Sequence, residues 1–181
     1  MANTTSASVT AGDYIYVFFN QGGNTKIHGY RFTESDKEPQ PFTINVDSKD
    51  DISKGGEIAA LYLSVNNKDE IHLYYIGQED KPADPTNIQW NQVNEACLHG
   101  AKAKATDPAS WTRTGMDLNL KRWKGEVGTY LAASLSADAN QFPRVFYRAK
   151  DTTDVSMAEF NINSTTHKKD WTTTPLTGTS A

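Results

Sequence analysis

Aromatic and β-branched residues recur at every second position in short runs along the chain, and most runs end in a polar stretch carrying Gly, Asn, Asp or Pro. Side chains of an extended strand point alternately to its two faces, so this period, with these residue types, predicts strands joined by tight turns in antiparallel meanders. Twelve runs are legible: SASVT, YIYVFF, TKIHGYRF and PFTINV; then EIAALYLSV, EIHLYYI, QVNEACL and SWTRTGM; then TYLAASLS, PRVFYRA, VSMAEFNI and DWTTTPL. Sustained helical periodicity is absent. Residues 117–126, DLNLKRWKGE, could form a helical turn before Gly125 but read better as an extended link.

The twelve runs fall into three repeats, over about 3–49, 50–126 and 127–176, within a single domain. Each repeat opens on small residues, as in IAALYLS and LAASLS, and continues with an aromatic run. Four-stranded sheets arranged radially crowd their innermost strands around an axis, where Ala and Ser fit, while aromatics fill the wider gaps between sheets. The predicted fold is therefore all-β, a β-propeller with about three four-stranded antiparallel blades per chain. Tyr16, His72 and Arg144 occupy equivalent second-run positions. The extra length of the second repeat lies in GQEDKPADPTNIQWN and HGAKAKATDPAS, whose composition marks loops. Closed propellers need about four to eight blades, so three imply a partner; two chains around a two-fold axis would give a six-bladed ring. The alternatives are a fourth blade using strands near Ile88–Trp90 or Leu118–Trp123, or a chain cut from a longer protein.

Composition narrows the function. The 181 residues carry 18 basic and 22 acidic side chains, a net charge of -4, with no basic run of the kind nucleic acid requires. No segment is apolar enough to span a membrane, and MANTTSASVT lacks the features of a secretory signal, which predicts a cytoplasmic protein or one exported without a signal peptide. Cys97 is the single cysteine, so no intrachain disulfide can form, and it reads as a small packing residue. Asn3-Thr4-Thr5 and Asn163-Ser164-Thr165 match the glycosylation sequon and, without export, are expected to be bare. His28, His99 and His167 are scattered without metal-ligand spacing, so neither metal nor cofactor is expected. G-x-S-x-G, H-E-x-x-H and phosphate-binding Gly loops are absent, and the chain is expected not to be an enzyme.

The order of a small-residue strand, then I-R-V-Y, x-x-E-x-C-W and W-x-x-G resembles the fungal and bacterial fucose-specific lectins, which are six-bladed propellers. It stands here as IAALYLS, EIHLYY, VNEACL, SWTRTG and as LAASLS, PRVFYR, MAEFNI, DWTTTP. The resemblance implies sugar sites between neighbouring blades, each with an Arg from the second strand, a Glu from the third, and aromatics of the next blade. Carried over, Arg144 and Glu159 match in the third repeat; the second keeps Glu95 but has His72 in place of Arg; the first has Tyr16 and Gly29 and lacks the pair. Trp111 and Trp171 match the fourth-strand Trp, with Phe42 standing in for it in the first repeat. The family's blade order would set His72 and Glu95 against Trp171, Tyr16 against Trp111, and Arg144 and Glu159 against Phe32 and Phe42 of a partner chain.

The chemistry of a neutral sugar suits such a set. Vicinal hydroxyls want an Arg fork and a carboxylate acceptor, and the apolar ring face wants an aromatic plate. The expected function is a non-catalytic lectin for fucosylated or related glycans, multivalent by assembly into a homodimer; the alternative is a degenerate propeller acting as a protein-interaction scaffold. Arg144 and Glu159 could equally be a cross-strand ion pair, and His72 a packed residue hydrogen-bonded between blades. Trp90 and Trp123 read as loop anchors.

Overall fold

The computed structural model describes residues 5–20, 26–44, 52, 56–64, 69–78, 91–99, 111–112, 123–137, 141–162, 166 and 169–176. Among these, twelve strands form three four-stranded sheets and there are no helices. The first sheet holds β1 (Thr5–Ala11), β2 (Tyr14–Asn20), β3 (His28–Phe32) and β4 (Gln40–Thr43). The second holds β5 (Ile58–Leu63), β6 (Glu70–Gln78), β7 (Asn91–His99) and β8 (Trp111–Thr112). The third holds β9 (Leu131–Leu135), β10 (Pro143–Arg148), β11 (Val155–Ile162) and β12 (Lys169–Leu176). Each sheet is an antiparallel meander in chain order, one per sequence repeat.

The first strands of the sheets pack side by side, β1 against β5 and β5 against β9, as their small side chains permit. Two apolar layers separate the sheets. Tyr16, Phe18 and Phe42 of the first sheet meet Leu73, Leu98 and Trp111 of the second. On the other side, Leu61, Tyr74 and Val93 of the second sheet meet Val145, Phe160 and Trp171 of the third. The second sheet is thus covered on both faces, and residues 71–77 of β6 are buried without a break. Strand β10 alternates buried and half-buried residues because, among the described residues, only one of its faces is covered. The outer face of the first sheet carries Tyr30, 41% exposed, with Phe19 stacked on it. The outer face of the third carries Arg144, Phe146 and, across from Phe146, Met157.

The link into the third repeat is extended, as expected for the end of 117–126. Val93 N–H donates to the Trp123 carbonyl at 2.8 Å and Glu126 N–H to that of Arg148 at 2.9 Å, so this stretch ties β7 to the end of β10. Trp123 anchors it, stacking on Tyr147 and meeting Trp171 edge-on. Trp90, Ile88 and Leu118 lie outside the described residues, as do the whole sequon at 163–165 and Asn3 and Thr4 of the other.

Candidate functional site

Strands β10 and β11 pair Arg144 directly with Glu159, and their side chains emerge on the outer face of the third sheet. Arg144 Nε donates to Glu159 Oε1 at 2.5 Å, with the two side chains 33% and 23% exposed. One N–H of the guanidinium and one carboxylate oxygen make this bond. The two terminal nitrogens of Arg144 and Oε2 of Glu159 have no protein partner among the described residues. Beside them, Asn161 Nδ2 donates to Thr172 Oγ1 at 3.1 Å, and Thr172 lies opposite Glu159 on β12. The patch therefore offers a donor fork, a carboxylate acceptor and small polar side chains on a half-open surface. That set is suited to hydroxyl groups.

The equivalent region of the second sheet is built differently. On one face of β6 and β7, three cross-strand pairs stand in a row: Glu70 with His99, His72 with Cys97, and Tyr74 with Glu95. His72 Nδ1 lies 2.8 Å from Glu95 Oε1 and its Nε2 3.1 Å from Glu70 Oε2, so the ring bridges two carboxylates. Burial alone would lower the imidazole pKa, but the hydrogen bonds its N–H groups donate to Glu70 and Glu95, with the charges of both, outweigh it and raise it to about 9. His72 is the cation of this network at neutral pH. Burial, then the neighbouring Glu95 charge, pushes the Tyr74 phenol well above its ordinary range. His72 and Glu95 are both fully enclosed, 0% exposed, and as placed they meet no external ligand. His72 is thus packed and hydrogen-bonded, but both partners lie within its own sheet rather than across blades, and the enclosed His72–Glu95 pair is not open to a sugar in this structure.

The aromatic residues divide in the same way. Trp171 packs edge-on against Tyr74 and Phe160, so it does lie on the side of the second sheet that carries His72 and Glu95. Trp111 meets Phe18 edge-on and stacks on Phe42, which itself packs against Tyr16; the expected neighbourhood of Tyr16 and Trp111 is present. All three, Phe42, Trp111 and Trp171, are buried and present no open plate. Phe42 differs most from expectation. It turns toward the second sheet rather than outward, because its ring lies over Gly29, its direct partner across β3 and β4. Gly29 is thus the seat of an aromatic ring rather than the vacancy left by a carboxylate. Phe32 stands two residues from Tyr30 on β3, on the opposite side from Arg31, whose guanidinium sits 4.0 Å above the Tyr14 ring.

Further residues of chemical interest stand outside that set. Phe19, His28, Tyr30 and Thr43 line a surface cavity of about 490 Å³ on the outer side of the first sheet. His28 Nδ1 lies 3.0 Å from Thr43 Oγ1 there. Glu70 and His99 join the buried network, and Glu70, His72 and Tyr74, like Glu95, Cys97 and His99, are spaced by two along a strand. That period places each trio on one face. Among the described residues there is no helix long and apolar enough to cross a membrane. No protein-family model and no curated protein matches the sequence.

Proposed function

We propose that the chain is a carbohydrate-binding protein, a non-catalytic lectin for fucosylated or related glycans, whose working site is the Arg144–Glu159 pair. The observation that carries the reading is the half-exposed pair with the terminal nitrogens of Arg144 and one Glu159 oxygen still available. A hydroxyl-rich ligand placed there satisfies donor and acceptor together; a site lacking the carboxylate would leave hydroxyl donors unpaired at about 1–3 kcal/mol each.

The outer faces of the first and third sheets support the next step. Two copies related by a two-fold axis would set the third sheet of each against the first sheet of the other, closing six sheets into a propeller. Phe32 and Tyr30 of the second copy, rather than Phe42, would then supply the aromatic plate opposite Arg144. Two sites per ring would raise avidity for a glycan-coated surface without new contacts.

A glycan array tests the ligand class, and Arg144→Ala tests the site. Signal confined to fucosylated glycans and lost in the variant supports the proposal; a flat array favours the protein-interaction scaffold, toward which the burial of His72 and Glu95 already points.

A further inference from the structure

Among the described residues, Glu70, Cys97 and His99 bring a carboxylate oxygen, a thiol sulfur and an imidazole nitrogen within 4.8 Å of one another. Glu70 is the first residue of β6 and His99 the last of β7, so the three stand where that strand pair ends. We propose that this cluster is a binding site for a borderline divalent transition ion, Zn²⁺ in the first instance.

The distances fit such an ion. A tetrahedral zinc with metal–ligand bonds of about 2.0–2.3 Å separates neighbouring N, O and S donors by about 3.3–3.6 Å. His99 Nδ1 lies 2.9 Å from Glu70 Oε1 and 3.9 Å from Cys97 Sγ, values on either side of that range, so small rotations of half-exposed His99 would seat the ion. The donor set is discriminating as well. A thiolate with an imidazole selects zinc, cobalt or copper over magnesium or calcium, which prefer oxygen.

Outer partners that orient the donors are in place. The second oxygen of Glu70 is held by His72, which is held in turn by Glu95. Ligand carboxylates are commonly fixed in this way. Access is open on one side, since the His99 side chain is 44% exposed while Cys97 is buried. Binding would release the Cys97 proton to solvent and leave the fourth position of the ion to water. This site is independent of the sugar reading, because it lies on the covered face of the second sheet.

The test uses the full chain stripped with a chelator and titrated with Zn²⁺ by calorimetry, and with Co²⁺ by absorption. The expected result is one ion per chain, with a thiolate-to-cobalt charge-transfer band. Mg²⁺ should give no heat. Cys97→Ser should abolish the band, His99→Ala should weaken Zn²⁺ binding, and His72→Gln, acting through Glu70, should weaken it by about 10–100-fold. Co²⁺ bound without the thiolate band, or Zn²⁺ affinity unchanged in His99→Ala, would overturn the proposal. If Cys97→Ser fails to fold, the wild-type cobalt spectrum and the half-exposed His99→Ala variant decide.

Discussion

The second and third sheets share one strand order but treat their polar residues in opposite ways. On β6 and β7, His72 is locked between two carboxylates beneath a neighbouring sheet; on β10 and β11, Arg144 meets one carboxylate on a face that no sheet covers among the described residues. Burial separates a structural network from a candidate site here, more than residue type does. A charge enclosed between sheets must be fully paired, because unpaired charge in a low-dielectric interior is costly. A half-exposed pair can keep spare donors, since water satisfies them until a ligand arrives.

The largest difference should come from removing the cations. His72→Leu leaves Glu70 and Glu95 without the ring that bridges them and should cost about 3–5 kcal/mol in chemical denaturation. Next, Gly29→Ala places a methyl against the Phe42 ring and 2.7 Å from the Val17 carbonyl. Overpacking of this kind should cost about 1–3 kcal/mol, read from the same melts. Arg144→Ala should cost under about 1 kcal/mol, as for exposed pairs, while removing most sugar binding on the array. A collapse in stability at that position would instead make the pair structural.

Raising the pH gives a gentler version of the first comparison. The His72 pKa is raised from 6.5 to about 9 on folding, so its stabilising contribution in metal-free protein is complete below pH 6.5 and is lost as pH climbs through about 9. Thermal melts between pH 6 and 10 should fall in that window, and the His72→Leu variant should fall less. Light scattering addresses the outer faces: a species near twice 20.0 kDa agrees with ring closure between two chains, and a monomer defeats it.

The fold was more legible than the site. All twelve runs became strands, since alternation, small residues on β5 and β9, and turn composition point to the same local structure. Orientation within each sheet was harder to read. Phe42 looked like the outward aromatic of its repeat, yet its pairing with Gly29 turns it inward, and a pairing register is not visible in one strand alone. Glu95 shares the short motif of Glu159, but the ladder sets it opposite Tyr74 rather than His72. The spacing of Cys97 and His99 is visible in the sequence. It carries little meaning until β6 brings Glu70 alongside.

The stack has unlike ends: Tyr30 and Phe19 on one, Arg144, Phe146 and Met157 on the other. Copies joining by these ends would add with a polarity, each repeating the same rotation as the last. If three sheets turn the chain through half a circle, growth halts at two; a few degrees of error per joint would turn the same contact into a helical fibre. The angle between sheets, set by packing such as Trp111 on Phe42 and Trp171 on Tyr74, would then also limit polymerisation.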